Sequence, residues 1–240
     1  MAIFSSGADQ ARVSEPELMD DPQLAPAAHE RALRGLARLN WLSRSPDILW
    51  PPIAALARRL QRDQLRLLDV ASGAGDIPLR LWQRARRHRI DLQVQGIDVS
   101  PQAIAFARRR AAQHGAPIEY EQLDALRDPV PGGFDVVTCS LFLHHLQPDE
   151  VQRLLAKMGQ ATEHLVLVQD LRRSRSGWWL AYLASRMFST SHVVHVDALR
   201  SVRAAFSAEE TRQLALDAGL ADATTRPRWP FRYLLSWERV

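Results

Sequence analysis

Apolar residues follow two different rhythms along this chain, and the change between them separates its parts. From residue 65 onward, short apolar runs alternate with longer segments whose apolar residues recur at helical spacing. The runs predict strands and the longer segments predict helices. We expect strands at 65–71, 92–98, about 117–122, 134–140 and 164–170, with helices at 75–88, 101–114 and 148–160 between them. Such alternation predicts an α/β fold with a doubly wound, mostly parallel sheet.

The segments on either side of this core, residues 65–170, follow other patterns. Residues 1–28 are polar and lack apolar periodicity, so we expect them to be mostly disordered. Residues 29–62 carry two amphipathic patterns that predict a helical cap. An aromatic stretch within 171–206 predicts a lid, and 207–240 predicts a closing helix and a hairpin. The sheet would then have about seven strands, the last one antiparallel, and everything after residue 28 would form one domain.

Composition indicates the size class and the expected location of the protein, but not its chemistry. The chain has 240 residues, which suits one α/β domain, and its single cysteine, Cys139, excludes an intrachain disulfide. We therefore expect a reducing, cytoplasmic location. Neither an apolar run of membrane-spanning length nor a leader-like N-terminus is present in the sequence. The net charge is +4, but the arginines are spread over several helical segments, so nucleic-acid binding is not expected.

A glycine turn follows the first predicted strand, in the stretch Asp69-Val70-Ala71-Ser72-Gly73-Ala74-Gly75. Glycines at such a turn let the backbone approach a ligand closely. Pro78 stands where a dinucleotide-binding turn would place its third glycine, which argues against a nicotinamide cofactor. The second strand ends in Asp98-Val99, the third is followed by Asp124-Ala125, and the fourth ends at Ser140. The carboxylates could accept ribose hydroxyls and an adenine amine.

This order of motifs resembles the class I S-adenosylmethionine-dependent methyltransferases, over about residues 65–170, which have a Rossmann-like fold. The resemblance implies S-adenosyl-L-methionine as the cofactor. It assigns the methionine end to Asp69, Gly73 and Gly75, the ribose to Asp98, and the adenine to Asp124 with Ala125. Ala71, which stands where the family has its first motif glycine, joins the cofactor-binding set, as do Ser72, Val99 and Ser140. A narrower resemblance is to the methyltransferases of the ubiquinone/menaquinone-biosynthesis type. It rests on Gly75-Asp76-Ile77, on the upstream Leu39-Asn40 and Leu49-Trp50, and on the tail around Phe206-Ser207.

Histidines are the candidates for acceptor chemistry. His195 with Asp197 could form a base steadied by a carboxylate, and His144 and His145 follow the fourth strand at the edge where ligands bind. The aromatic stripe from Trp178 to Phe188 could line a lipophilic acceptor pocket, pack as a lid, or rest on a membrane surface.

We therefore expect methyl transfer to a small aromatic or lipophilic acceptor, such as a phenol, quinol or polyketide, at oxygen or carbon. Two alternatives stay open: an RNA or protein methyltransferase, and a cofactor-binding protein without turnover. We find no group with the spacing of metal ligands, so no metal is expected. The sequence does not indicate an oligomeric state.

Overall fold

The computed structural model describes residues 11–20, 24–25, 27–28, 30–32, 34–35 and 45–239. Its strands are β1 Gln64–Val70, β2 Asp91–Asp98, β3 Glu119–Gln122, β4 Phe134–Ser140, β5 Thr162–Leu171, β6 Thr224–Arg228 and β7 Arg232–Glu238. Its longer helices are α1 Ser45–Leu60, α2 Asp76–Arg87, α3 Pro101–Gln113, α4 Pro148–Ala161, α5 Arg175–Phe188, α6 His192–Ala204 and α7 Ala208–Asp217. Short 3-10 turns lie at Leu18–Asp20 and Leu143–His145. No helix within these ranges is long and apolar enough to cross a membrane.

The strands form one seven-stranded sheet in the order β3-β2-β1-β4-β5-β7-β6. Strands β1 to β5 are parallel, whereas β7 runs antiparallel to both β5 and β6. The predicted Rossmann-like, doubly wound sheet with an antiparallel end is therefore confirmed. Since the order reverses direction between β1 and β4, a crevice opens at the carboxyl edge of these two strands, where ligands bind in such sheets.

Helices cover both faces of the sheet. Since side chains alternate along each strand, one strand supplies apolar residues to the core on either face. In β1, Leu65 and Leu67 belong to the core cluster that α1, α2 and α3 complete, whereas Leu68 and Val70 belong to the cluster that α4 completes. Two helix starts carry side-chain caps. The Ser100 hydroxyl accepts from the amide of Ala103 at 3.2 Å, and Ser207 and Glu210 form a capping box at the start of α7.

The N-terminal segment, residues 11–20, corrects the expectation of disorder over 1–28. Its Arg12 side chain donates to the carbonyl oxygens of Ala204 at 2.6 Å and Leu146 at 2.6 Å, and it lies over the Phe206 ring. The amide of Val13 donates to the carbonyl of Arg203 at 3.2 Å. Residues 11–20 therefore lie along α6 and the turn after β4. Residues 1–10 lie outside the described part of the chain.

Two further segments were only partly anticipated. Of the helical cap predicted over 29–62, the second part forms α1; in the first part, residues 30–32 and 34–35 are helical, and His29, Leu33 and 36–40 lie outside the described residues. Helix α6 was not predicted as a helix of its own. Its buried face mixes Val194 and Val202 with the polar Asp197 and Ser201, which blurs the apolar period that marks an amphipathic helix.

Candidate active site

The turn after β1 is built for close approach of a ligand. Ala71, Gly73 and Gly75 all have positive φ, of 56°, 52° and 67°. A side-chain carbon at Gly73 would meet nothing within 4 Å, so open space lies beside this backbone. At Gly75 the same carbon would come within 2.5 Å of the Tyr120 hydroxyl oxygen. Gly75 is therefore needed for packing, and Gly73 borders the space that a ligand can fill.

A buried carboxyl group lies at the end of β1, directly before this turn. Asp69 is 2% exposed, and Thr138 donates a hydrogen bond to its Oδ1 at 2.7 Å. Burial raises the pKa of Asp69 to about 7, against the hydrogen bond from Thr138, and the negative charges of Asp76 and Asp98 add to the increase. A cationic group placed next to Asp69 would favour its ionised form.

The second acid, Asp98, joins the end of β2 to the glycine turn. Its Oδ2 accepts from the amide of Gly73 at 2.8 Å, and its Oδ1 accepts from the amide of Ser100 at 2.9 Å. The next side chain, Val99, is 59% exposed. Each carboxylate oxygen can accept more than one hydrogen bond, so Asp98 can hold the turn and still receive hydroxyl donors.

Farther along the same sheet edge, Asp124 organises the turn after β3. Its Oδ1 accepts from the amides of Leu126 at 2.9 Å and Arg127 at 3.3 Å, and the neighbouring Ala125 is buried. Such contacts are typical of an acidic residue that caps a turn, which is a structural role. The sheet order nevertheless aligns Asp69, Asp98 and Asp124 along one edge, after neighbouring strands.

A cavity of about 410 Å³ runs from the turn after β1 to an apolar wall. Its first end is lined by Asp69, Ser72, Gly73, Asp76 and Ser140. The far end is lined by Leu180 and Ala184 of α5, Val202 of α6, and Phe231 between β6 and β7. The buried Ser140 hydroxyl has no hydrogen-bond partner among the described residues. The volume falls in the range of pockets that hold a small organic molecule.

Helix α5 shows two faces, and only one meets the cavity. Leu180, Ala181 and Ala184 line it. Trp179 projects to the opposite side of the helix and is 59% exposed, and Met187 near the end of the helix is 74% exposed. The aromatic stripe therefore divides: Leu180, Ala181 and Ala184 contribute to the cavity wall, whereas Trp179 and Met187 are exposed.

Two neighbouring histidines also line the cavity. His144 is 4% exposed, and its Nδ1 lies 2.6 Å from Oδ1 of Asp170, at the end of β5. Burial would raise the pKa of Asp170, but the charge and hydrogen bond of His144 outweigh burial and hold that pKa below its ordinary value. His145 stacks beside His144, with ring centroids 4.4 Å apart. Both line the cavity, as expected for residues that follow β4.

Glu17 of the N-terminal segment completes this group, and the sequence did not reveal it. Its Oε1 lies 3.8 Å from Nε2 of His144, and its Oε2 lies 3.9 Å from Nε2 of His145. The Ser201 hydroxyl donates a hydrogen bond to Glu17. Glu17 stands in a polar stretch without periodicity, far from the histidines in sequence, so no local pattern could have placed it here.

The pairing of His195 with Asp197, expected from the sequence, does not form. His195 Nε2 lies 2.7 Å from the carbonyl oxygen of Ser189, and His195 is not among the described residues that line the cavity. Asp197 instead accepts from the amides of Leu18 at 2.8 Å and Met19 at 3.0 Å. Residues two apart on a helix project in nearly opposite directions, which is why the two side chains separate. The histidine supported by a carboxylate is His144.

Comparisons with known proteins agree with this architecture. Residues 67–164 match the family model described as a methyltransferase domain. A demethylmenaquinone methyltransferase of Deinococcus radiodurans is 40% identical over 88 residues, 36% of this chain and 35% of that protein. A demethylmenaquinone methyltransferase of Thermus thermophilus is 32% identical over 130 residues, 52% of this chain and 53% of that one. A ubiquinone biosynthesis O-methyltransferase of Idiomarina loihiensis is 29% identical over 123 residues, 50% of this chain and 48% of that one.

Solved structures show the same fold over most of the chain. The S-adenosylmethionine-dependent methyltransferase SibL superposes with a TM-score of 0.65 at 22% identity, covering 95% of this chain and 63% of that one. The plantazolicin methyltransferase BpumL, solved with SAH, gives 0.65 at 12% identity and covers 92% of both chains. Over residues 67–164 this chain therefore resembles a methyltransferase domain, and the solved structures show that it shares their fold. The curated relatives are matched over about half of their length or less.

Proposed function

We propose that this protein transfers a methyl group from S-adenosylmethionine to a small aromatic or lipophilic acceptor. One observation carries the proposal: a single cavity joins the acidic glycine turn after β1 to an apolar wall formed by α5, α6 and the hairpin. One end suits a charged cofactor and the other suits an apolar ring. Methyl transfer from a sulfonium requires chiefly that the two reactants be held in line, away from water.

The residues of the turn fit this cofactor. Asp69 is a buried carboxyl group that a neighbouring ammonium group would keep ionised, and the Ser140 hydroxyl is buried without a partner among the described residues. The open space at Gly73 admits a ligand close to the backbone. When bound, the cofactor supplies an electrophilic methyl group. Asp69, Gly73 and Ser140 would hold its amino-acid end, and Asp98 its ribose.

Other residues complete this assignment by their places along the sheet edge. Ala71, Ser72 and Gly75 shape the turn itself, and Val99 offers an exposed apolar surface beside Asp98. Asp124 and Ala125 follow at the end of β3, where the adenine would lie.

The acceptor end favours a ring that carries a polar substituent. Leu180, Ala184 and Val202 offer an apolar surface, whereas His144 and His145 bring polar atoms to the cavity wall. We assign these histidines to the acceptor, whose hydroxyl they would orient and activate. The names of the curated relatives point to quinone-type rings, whose reduced quinol forms combine an apolar ring with such hydroxyls.

Calorimetry with the full chain tests the cofactor assignment first. We expect binding of S-adenosylmethionine and SAH, and none of NAD. Asp98→Ala removes hydrogen bonds to a charged group, so affinity should fall by about 30- to 1000-fold, corresponding to about 2–4 kcal/mol. The control is Asp63→Ala, which removes an exposed carboxylate just before β1, at the opposite end of that strand from the glycine turn.

Transfer of a labelled methyl group to a panel of phenols and demethylated quinols then tests the acceptor. We expect labelled product from at least one apolar phenol or quinol. Absence of binding heat with both S-adenosylmethionine and SAH would refute the proposal. Binding without product from any acceptor, or transfer only to RNA or protein, would overturn the acceptor class.

A further inference from the structure

Three groups able to ligate a metal meet inside the cavity, from two distant parts of the chain. A carboxylate oxygen of Glu17 and a ring nitrogen from each of His144 and His145 all lie within 4.8 Å of one another. The side chains of Glu17 and His144 are only 10% and 4% exposed, and that of His145 is 24% exposed. The group is therefore largely shielded from solvent, while it still borders the cavity.

The separations are too long for direct hydrogen bonds and suit a bridging cation. The carboxylate oxygens of Glu17 lie 3.8 and 3.9 Å from the two Nε2 atoms, whereas N–H···O bonds span about 2.7–3.2 Å. Tetrahedral coordination with bonds of about 2.0–2.2 Å separates ligand atoms by roughly 3.3–3.6 Å. Each of the two Glu17–histidine distances would have to shorten by only a few tenths of an ångström for its atoms to bind one ion, and the two ring nitrogens lie within 4.8 Å of each other.

The surroundings hold the ligand atoms in place. Asp170 bonds Nδ1 of His144 at 2.6 Å, which turns Nε2 toward Glu17. A carboxylate behind a histidine in this way is the usual support of a metal-ligating imidazole. Ser201 donates to Glu17 and fixes the carboxylate. A shielded carboxylate facing two imidazole nitrogens also gains from a positive charge placed between them.

We propose that Glu17, His144 and His145 bind a divalent first-row transition cation. Two imidazoles and one carboxylate suit such ions and leave coordination positions open. Those positions face the cavity, and they fit an oxygen of the acceptor. This part rests on the proposed function: the acceptor would carry a hydroxyl group, whose proton passes to water more readily once its oxygen is bound to the cation.

Titration of the full chain with metal tests the site without any turnover. After treatment with a chelator and its removal, Zn²⁺ is added and the heat is measured; Co²⁺ is added separately and its visible absorption recorded. We expect one equivalent of each ion to bind. Glu17→Gln and His145→Ala should each abolish binding, and Asp170→Asn should weaken it by about 10- to 100-fold.

A matched control is offered by His164, whose Nε2 lies 3.8 Å from a carboxylate oxygen of Asp135 without a third ligand among the described residues. His164→Ala should bind the metal like the unaltered protein. Circular dichroism and SAH binding show whether each variant is folded. Binding that survives Glu17→Gln in a folded protein overturns the site, as does absence of binding in the unaltered chain. If SAH binds and metal does not, only this inference fails; if metal binds and SAH does not, only the proposed function fails.

Discussion

Replacing Asp69 by asparagine should make the cofactor-free protein more stable and, at the same time, a poorer binder. Burial raises the pKa of Asp69 from an ordinary 3.8 to about 7. The folded state therefore favours the protonated carboxyl. Its contribution to stability is fully present below pH 3.8 and is lost as the pH rises toward about 7. Above that pH, the folded protein must keep an ionised carboxylate in a buried position.

The size of the effect follows from the two pKa values. Each pH unit between them costs about 1.4 kcal/mol, so the contribution of Asp69 should be about 2–3 kcal/mol less favourable at pH 8 than at pH 5. Asparagine does not ionise, and its amide oxygen can still accept the hydrogen bond from Thr138. The free energy of unfolding of Asp69→Asn, relative to the unaltered protein, should therefore increase between pH 5 and pH 8.

Urea denaturation at both pH values, without ligand, measures this difference. The control is Asp63→Asn, since Asp63 is exposed. Calorimetry with SAH provides the second half: the variant lacks the carboxylate that would meet the ammonium group, so its affinity should fall by at least about tenfold. A variant whose relative stability is the same at pH 5 and pH 8 would refute the argument from burial. Unchanged SAH affinity would remove Asp69 from the cofactor site.

Two further substitutions test the parts that the sequence did not predict. Arg12→Ala removes hydrogen bonds from a charged group, so the free energy of unfolding, measured by urea denaturation, should fall by about 2 kcal/mol. Hydrogen exchange at the amide of Val13 should become faster. The control is Arg87→Ala, since Arg87 is exposed. His195→Ala removes the contact with Ser189, so stability should fall by about 1 kcal/mol while labelled methyl transfer stays near normal. Strongly reduced transfer in a folded His195→Ala protein would restore that residue as a catalytic candidate.

The core of the fold could be predicted from the sequence because its signals are local. Each strand is a short apolar run, and helix starts such as Ser100-Pro101 and Ser207 to Glu210 carry their own caps. The glycine turn is equally local, since strand, turn and helix follow one another within a few residues. The parallel order of the sheet then brings Asp69 and Asp98 to one edge without any further information.

The N-terminal segment could not be predicted, because polar contacts rather than an apolar stripe hold it. Asp197 accepts from two of its amides, and Arg12 donates to carbonyl oxygens of other segments. Hydrogen bonds to backbone groups leave no period in the sequence. The same contacts explain why the predicted pairing of His195 with Asp197 was wrong. The Asp197 carboxylate accepts hydrogen bonds from the N-terminal segment, whereas the His195 ring contacts the carbonyl oxygen of Ser189.

Local sequence patterns and contacts between distant segments account for different parts of the site. The methyltransferase domain match, at 67–164, contains the glycine turn, Asp98, Asp124 and the histidine pair. Glu17, α5, α6 and the hairpin, which line the rest of the cavity, all lie outside that range. Under the proposed function, the acceptor would therefore meet the histidine pair inside the matched range and other residues outside it. Glu17 lies 3.8 and 3.9 Å from the two Nε2 atoms of that pair, so the choice of acceptor would depend on both sets of residues.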